Sequence, residues 1–341
     1  MRVLITGGAG FIGCNLAEAV IRAGHQVTLF DNLSRRGSEA NLAWLKQTCG
    51  EHSLAFVQGD IRDYPAILAA VQGQQAIYHL AAQTAVTTSV TDPRPDFEIN
   101  ALGTFNVLEA ARAAGENPVF IFASTNKVYG GMDDAKAVEL ETRYVLPDYP
   151  RGVPETRPLD FHSPYGCSKG SADQYVHDYA RIYGLRSVVF RQSCIYGQRQ
   201  MGVEDQGWVA WFIIAVVTGR PFTIYGNGKQ VRDLLHVDDL VRAYQMATKR
   251  IDVTAGQIYN LGGGPGNTLA VWAEFGPLLS ELAGHTVEPV AFSDWRPGDQ
   301  PVFVADVSKA AEEFGWAPKV SVREGLARLV TWVKENRELF A

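Results

Sequence analysis

Short apolar runs rich in β-branched residues alternate with amphipathic segments through the first half of the chain. The runs predict strands at 2–6, 26–30, 55–58, 76–80, 119–123 and 187–191. The intervening periodic segments predict helices ending at about 23, and over 100–114, 164–183 and 237–249. This alternation is typical of a parallel sheet whose strands are joined by crossover helices. The sequence therefore predicts an α/β fold with a Rossmann-type doubly wound parallel sheet.

The regular alternation fades after residue 191, where Gly-rich segments at 225–228 and 262–266 interrupt shorter elements. We therefore predict a second, smaller α/β lobe that binds substrate. Because the helical pattern at 237–249 fits the sheet domain, the lobe is predicted to be discontinuous. The predicted division assigns 1–193 and about 236–260 to the dinucleotide-binding domain. Residues from about 194 to 235 and from 261 to 341 are assigned to the lobe.

Composition narrows the function classes. The 341 residues are 46% hydrophobic and carry a formal net charge of -6 without a Lys/Arg block, which argues against nucleic acid as the principal partner. The longest apolar run, at 208–217, is about half a membrane span. The N-terminal apolar run is too short for a signal peptide, so we expect a cytoplasmic protein. The four cysteines are widely separated, and we expect reduced thiols and no metal site.

A glycine-rich turn follows the first predicted strand directly and opens a helix. Gly7, Gly10 and Gly13 have the spacing at which glycines allow a tight turn and let the backbone approach a pyrophosphate. The second strand ends at Asp31, where a carboxylate accepts hydrogen bonds from an adenosine ribose. Asp31 would repel a 2'-phosphate, so NAD is favoured over NADP, although Arg35 and its neighbour Arg36 could accept such a phosphate.

The ends of the third and fourth strands add two candidate contacts with the cofactor. Asp60 is placed to meet the adenine amino edge, and the alternative is that Asp60 or Asp63 caps a helix. Leu80 and Ala81 end the fourth strand with small or apolar side chains that let a cofactor lie against the backbone; core packing explains them about as well.

A tyrosine and a lysine four residues apart are the candidate catalytic pair. On a helix Tyr165 and Lys169 share one face. A neighbouring ammonium favours the phenolate, so Tyr165 can take a hydroxyl proton as hydride leaves the same carbon. The fifth strand runs into Ser124 and Thr125, which place a hydroxyl at the same sheet edge; Thr125 is the predicted third catalytic group and Ser124 the alternative.

These motifs together resemble the extended short-chain dehydrogenase/reductase superfamily, the NAD-dependent epimerase/dehydratase enzymes that modify nucleotide sugars. The resemblance covers nearly the whole chain and implies NAD that stays tightly bound and is regenerated in each cycle. It implies a homodimer built on two helices per subunit, here the Tyr165 helix and the one predicted at 100–114. The further cofactor contacts implied by the resemblance are Phe11, Ile12, Asn32, Ser34, Arg35, Ile61, Gln83 and Asn100. The implied substrate contacts are Gln83, Thr88, Thr125, Gln206, Arg232 and Arg296.

The resemblance also bears on the reaction. In the related 4,6-dehydratases an Asp-Glu pair follows the catalytic threonine, whereas Asn126 and Lys127 stand here, so epimerisation is favoured over dehydration. Longer strings at 30–35, 124–130, 159–170 and 205–209 look closest to the subgroup that inverts C2 of CDP-hexoses through a 2-keto sugar nucleotide. Its substrates would be CDP-paratose and CDP-tyvelose, or CDP-glucose and CDP-mannose. The alternatives are a UDP-glucose-type C4 epimerase, a 4,6-dehydratase, a dehydrogenase that releases NADH and a non-catalytic dinucleotide sensor.

Overall fold

The computed structural model describes residues 1–50, 52–296 and 299–340. Its strands are β1 (Arg2–Thr6), β2 (Gln26–Asp31), β3 (Leu54–Gln58), β4 (Ala76–His79), β5 (Val119–Thr125), β6 (Val138–Glu139), β7 (Tyr144–Val145), β8 (Arg186–Gln192), β9 (Cys194–Tyr196), β10 (Thr223–Tyr225), β11 (Val231–His236), β12 (Gln257–Leu261), β13 (Thr268–Ala270), β14 (Ala291–Ser293) and β15 (Val302–Phe303). Its α-helices are α1 (Phe11–Arg22), α2 (Ser38–Cys49), α3 (Tyr64–Val71), α4 (Val86–Thr91), α5 (Pro93–Phe97), α6 (Thr104–Ala113), α7 (Ser163–Tyr183), α8 (Trp208–Thr218), α9 (Val237–Lys249), α10 (Ile251–Thr254), α11 (Phe275–Ala283), α12 (Ser308–Phe314) and α13 (Val322–Glu335). Within these residues no helix has the length and apolar character that a bilayer crossing requires.

A parallel sheet organises the larger part of the protein. Within the described chain, seven strands lie in the order β12-β8-β5-β4-β1-β2-β3, and every neighbouring pair runs parallel. The order reverses direction on either side of β1, which is the doubly wound topology predicted from the sequence. Helices cover both faces, so the central strands are buried on both sides and read as continuous apolar runs.

Several helices of this domain were not predicted. The sequence of α2 has few apolar positions, of which Leu42 and Leu45 are buried. The eight residues of α3 are apolar on most faces, so they show no helical period. The helix predicted from Asn100 begins instead as a π-helical segment, Glu98–Gly103, that continues into α6. Such widened turns often lie at functional sites, because they re-aim side chains that a regular helix would space evenly.

The second lobe has its own small sheets and core. β11 pairs with β13, β15 and β9, and β10 pairs with β14. Helices α8, α11 and α13 close around this core with aromatic residues such as Phe212 and Phe275. One segment of the predicted lobe packs elsewhere, since Phe314 and Trp316, at and beyond the end of α12, belong to the core of the parallel sheet. The residues on either side of α12 therefore lie at the junction of the two units.

A fully buried ion pair joins α7 to the sheet. Arg191 on β8 donates to Asp173 on α7 through two nitrogens, at 3.0 and 2.9 Å, and both side chains are at most 3% exposed. Ser124 at the end of β5 donates to the same carboxylate at 2.7 Å. Tyr129 accepts from Arg191 at 3.2 Å and donates to Asn260 on β12 at 2.8 Å. This network holds α7 in register against three neighbouring strands.

We predict that Asp173→Ala lowers the free energy of unfolding by about 3–5 kcal/mol, because it leaves the Arg191 guanidinium buried without its counter-ion. The measurement is urea-induced unfolding followed by circular dichroism. Glu281→Ala is the control, since it breaks the Glu281–Arg323 pair, whose side chains are each 60% exposed, and should cost less than about 1 kcal/mol. Equal losses in the two variants would contradict the assignment.

Candidate functional site

Two clefts open at the carboxyl edge of the parallel sheet, and Gln206 lines both. The first has a volume of about 260 Å³ and the second about 240 Å³. The first cleft brings together most of the predicted cofactor residues, namely Gly7, Gly10, Phe11, Ile12, Gly13, Asp31, Asn32, Ser34, Arg35, Asp60, Ile61, Leu80, Ala81, Tyr165 and Lys169. Two others, Gln83 and Asn100, are not among its lining residues.

The glycine turn fits a pyrophosphate for steric reasons. Gly7 has a positive φ of 68°, and a Cβ placed on it would lie 2.7 Å from the amide nitrogen of Ala81. A Cβ on Gly13 would collide with the carbonyl oxygen of Gly7. Gly10 caps α1, whose first amides have no side-chain partner at this end. The turn therefore brings free N–H groups and the positive end of the helix dipole to the cleft floor.

Carboxylates border the far end of the first cleft. Asp31 accepts from the amides of Ala9 and Leu33 at 3.0 and 2.8 Å, and burial raises its pKa. Asp60 accepts from Arg62 and from Asn32, and the Arg62 hydrogen bonds lower its pKa to about 2. The helix cap is not Asp60 but its neighbour Asp63, which accepts from Ala66 at the start of α3. Asp60 thus stays ionised at the cleft, and Asp31 remains at the strand end where a ribose would lie.

Two residues predicted to contact cofactor or substrate, Gln83 and Asn100, use their side-chain amides in hydrogen bonds within the protein. The amide side chain of Gln83 donates to the Ala85 carbonyl at 2.8 Å and accepts from its N–H at 2.5 Å. Asn100, only 1% exposed, accepts from the Gln83 amide and donates toward Asp96 and Ser168. Neighbouring backbone and side-chain groups use the polar atoms of Gln83 and Asn100, and the adjacent Thr84 lines the cleft. Contact of Gln83 and Asn100 with the cofactor stays a prediction.

The predicted catalytic groups converge between α7 and the end of β5. Tyr165 is 9% exposed, and burial raises the pKa of its phenol to about 12; the Thr125 hydroxyl hydrogen-bonds the phenol and opposes that rise. The nearby Arg35 guanidinium also opposes it, whereas Asp96 adds to it. The phenol is therefore protonated at neutral pH, and further positive charge is needed before it can act as a base.

Lys169 lies one helical turn beyond Tyr165, as predicted. Its Nζ donates to the Ala123 carbonyl at 2.6 Å and lies 4.3 Å from the centroid of the Phe122 ring. Burial lowers the Lys169 pKa to about 7, and the carboxylates of Asp173 and Asp96 oppose that change. Lys169 is thus poised to titrate near neutral pH, and an anion or dipole brought into the cleft would hold its charge. Of the two candidate hydroxyl groups on β5, that of Ser124 donates its hydrogen bond to the Asp173 carboxylate. The hydroxyl that hydrogen-bonds the phenol is that of Thr125.

The second cleft is lined by three cations from separate elements. Arg232 on β11 pairs with Asp299 at 2.5 Å, and Arg296 lies 3.6 Å from Asp205. Lys127 follows β5, and burial and the nearby Arg232 lower its pKa. Arg232 and Arg296, the two arginines implied as substrate contacts, thus line the same cleft, and each is paired with a carboxylate.

Aromatic side chains form the rest of the second cleft. Trp208, Trp211 and Phe212 from the first turns of α8 line it together with Tyr225, whose ring centroid lies 4.0 Å from the Arg296 guanidinium carbon. Such a wall suits a flat base held by stacking. In the sequence this segment stands out only as the longest apolar run; the repeat of Trp at positions 208 and 211 is the signal that could have marked it as a cleft wall.

Thr88 does not line this cleft, contrary to the prediction. It lies exposed on α4, while the preceding Thr87, together with Val86, faces the cleft. One helical residue is a rotation of about 100°, so an error of one position moves a side chain to a different face. Gln206, a predicted substrate contact, lines both clefts and accepts a hydrogen bond from Arg35. No group of three or more His, Cys, Asp or Glu able to hold a metal occurs among the residues that the structure describes.

The fold and both clefts define a dinucleotide-dependent enzyme of the short-chain dehydrogenase/reductase type. The family model for GDP-mannose 4,6 dehydratase matches residues 4–329, and the chain belongs to this family of NAD-dependent epimerases and dehydratases. The CDP-paratose 2-epimerase of Salmonella typhi is 45% identical over 97% of this chain and 99% of its own. A putative UDP-glucose 4-epimerase of Methanocaldococcus jannaschii is 31% identical, covering 98% of this chain and 99% of its own.

Solved structures give the same class. The UDP-glucose 4-epimerase of Thermotoga maritima, determined with UDP-glucose, superposes with a TM-score of 0.84 at 33% identity and covers 99% of this chain and 100% of its own. A dTDP-glucose 4,6-dehydratase of Streptomyces venezuelae, determined with NAD bound, has a TM-score of 0.84 at 30% identity, with coverage of 99% and 98%. The family resemblance and the parallel-sheet fold predicted from the sequence are confirmed.

We predict that Lys169→Met stabilises the cofactor-free protein more at pH 6.5 than at pH 9.5. With the Lys169 pKa lowered to about 7, the unfolded chain holds a proton between pH 7 and about 10 that the folded protein has released, so the stability of the native protein rises with pH across that window. Below pH 7 the folded native protein keeps the charged amine buried, which lowers its free energy of unfolding. The methionine variant has no charge at this position and is not destabilised in this way.

The measurement is the difference between the unfolding midpoints of the variant and the native protein at the two pH values. Lys46→Met, at an exposed position on α2, is the control for the loss of an ammonium group. The same difference at both pH values for Lys169→Met would contradict the burial of a charged amine.

Proposed function

We propose that this protein is an NAD-dependent nucleotide-sugar epimerase that inverts C2 of a CDP-hexose through a transient 2-keto intermediate. The observation that carries the proposal is that two unlike clefts meet at Gln206, and that Tyr165 and Lys169 line the first of them. The first offers a glycine turn and strand-end carboxylates, and the second offers cations and aromatic rings. Gln206 lies between them, so a sugar whose diphosphate is in the second cleft is directed toward Tyr165 in the first.

The residues present fit NAD, which when bound accepts a hydride from the sugar and returns it. Tyr165 takes the proton of the C2 hydroxyl, and Thr125, hydrogen-bonded to the phenol, orients that hydroxyl. Lys169 holds positive charge beside the site, and with the cofactor cation it favours the phenolate that burial opposes. Arg232 and Arg296 retain the diphosphate while the keto sugar rotates about its glycosyl linkage and presents its other face. Returning the proton from Tyr165 then completes the inverted alcohol.

The residues beside Thr125 favour epimerisation over elimination. A dehydration at C5 and C6 needs an acid and a base next to the sugar. Here Asn126 accepts from the Thr125 hydroxyl at 3.4 Å, and Lys127 lines the second cleft near Arg232. An amide and an ammonium cannot supply the carboxylate pair. The 45% identity to a CDP-paratose 2-epimerase supports C2 and the cytidine nucleotide over the C4 chemistry of the UDP-glucose relatives.

We predict that the purified protein, incubated in deuterated water with CDP-paratose or CDP-glucose and no added NAD, forms the C2 epimer with the C2 proton retained. Direct return of the same hydride requires this retention, and proton NMR measures it. Deuterium at C2 would indicate deprotonation chemistry instead. Reaction of UDP-glucose at C4, with neither CDP-sugar turned over, would assign the C4 alternative.

In the same assay Tyr165→Phe should lower kcat by about 10²–10⁴, the usual contribution of a general acid-base group. The control is Tyr183→Phe, the same substitution at the exposed end of α7, where the ring is 54% exposed. Unchanged turnover in Tyr165→Phe would overturn the role given to Tyr165, whereas a native protein that binds NAD but turns over neither CDP-sugar nor UDP-glucose would favour the non-catalytic sensor.

A homodimer completes the proposal. Large apolar side chains are exposed on α5, the π-helical segment, α6 and α7: Phe97 is 58% exposed, Leu102 42%, Phe105 37% and Tyr175 49%. Phe105 and Tyr175 contact each other edge to face across α6 and α7, with ring centroids 5.8 Å apart. Aromatic residues of this kind are typical anchors of protein interfaces. Together they support association through α6 and α7, the two helices implied by the family resemblance.

We predict that Tyr175→Glu converts a dimer of twice 37.4 kDa to a monomer, because a carboxylate would be buried at the centre of the interface. Light scattering coupled to gel filtration measures the mass. Val290→Glu places the same charge on another exposed apolar position, 67% exposed, on the second lobe and should leave the mass unchanged. A native protein that elutes as a monomer would refute the interface.

A further inference from the structure

The segment between β9 and α8 crosses the front of the first cleft. We call residues 198–206 the strap. Arg199, Gln200 and Met201 in its first half line the first cleft, and Glu204 and Asp205 in its second half line the second. Residues 203 and 206 close a tight turn through two backbone hydrogen bonds of 3.0 and 2.9 Å. The strap, which comes from outside the parallel sheet, therefore forms part of the wall of both clefts.

The strap is fastened to the cofactor domain through its backbone. The carbonyl of Gln198 accepts from Asn15 on α1 at 3.1 Å, and the carbonyl of Arg199 accepts from Asn41 on α2 at 3.3 Å. Met201 packs against Gly37, which has a φ of 86° and has no room for a Cβ beneath the methionine side chain. These contacts connect the strap to the same helices that follow the glycine turn and Asp31.

The Arg199 side chain lies between the two units. Its guanidinium carbon is 3.9 Å from the ring centroid of Trp44 on α2 and 5.7 Å from that of Trp332 on α13. Trp332 belongs to the core of the second lobe, whereas Trp44 packs on the core of the sheet domain. Arg199 also has a φ of 70°, a left-handed conformation that is unfavourable for a residue with a side chain. Surrounding contacts must stabilise this conformation, and they include the stacking of the guanidinium on Trp44 and the hydrogen bond from Asn41 to the Arg199 carbonyl.

We propose that Arg199 is a positioning residue that retains NAD in the first cleft between turnovers, by fastening the strap to Trp44. The inference rests on the proposed function, because an epimerase that returns the same hydride must keep its cofactor. Release of NAD requires the strap to leave the cleft, and its opening must break the Arg199–Trp44 stacking and the two asparagine hydrogen bonds. Each of these contacts slows dissociation without touching the reacting carbon.

The test is the rate at which bound NAD leaves the protein. NAD-loaded protein is mixed with an excess of an NAD-hydrolysing enzyme, and the NAD that remains protein-bound is measured over time. We expect Arg199→Ala and Trp44→Ala each to lose NAD at least tenfold faster than the native protein. Arg199→Lys should be intermediate, since it keeps a cation but not the planar face that stacks. Turnover in Arg199→Ala should become dependent on added NAD.

Arg323→Ala is the matched control, because it removes an arginine from the exposed face of α13, the helix that carries Trp332. It should retain NAD as the native protein does. If Arg199→Ala and Trp44→Ala both lose NAD at the same rate as the native protein, the proposal is overturned. Since the assay follows NAD and not the sugar, native protein that retains NAD but epimerises nothing would refute the proposed function and leave the role of Arg199 standing.

Discussion

An ammonium group buried next to the end of β5 sets the electrostatic conditions of the whole site. Lys169 is 3% exposed, and its ordinary protonation is opposed by the loss of water around it. The protein offsets this with the Ala123 carbonyl, the Phe122 ring and the carboxylates of Asp173 and Asp96. Each of these groups must itself be buried and held in place by further contacts. The charge of one side chain therefore constrains residues well beyond its own neighbours.

Asp173 shows how the stabilisation of the buried Lys169 ammonium also fixes the packing of α7 on the sheet. Its carboxylate opposes the loss of charge on Lys169, but most of its hydrogen bonds go to Arg191 and Ser124. Because Arg191 lies on β8 and Ser124 on β5, the same carboxylate aligns α7 with two neighbouring strands. Asp96 has the corresponding role on the other side, where it accepts from Ser168 and Asn100 and ties α7 to the π-helical segment. The position of Tyr165 thus depends on buried groups of which only Ser124 lines the first cleft.

The sheet, the glycine turn and the Tyr-Lys helix could be predicted because each depends on local sequence. The strand at 2–6 is apolar because both faces are covered, and Gly7 and Gly13 are required by contacts within about a dozen residues or with the adjacent strand end. Asn100 and Gln83 could not be placed, because a widened helical turn changed the direction of Asn100 and a local loop took up the Gln83 amide. The second cleft was only partly predictable, since its walls come from separated segments whose approach depends on the packing of two units.

The charges of the second cleft explain how the two sites can communicate. Arg232 is paired with Asp299, and Arg296 donates to the carbonyl of Glu204. A diphosphate would compete with these acceptors, because a guanidinium binds two phosphate oxygens at once. Since Glu204 belongs to the strap, an anion that draws Arg296 away acts on the segment that also covers the cofactor cleft. If the strap retains NAD as proposed, an anion bound by Arg296 would also act on cofactor retention. By reciprocity, bound NAD would then change the affinity of the second cleft for that anion.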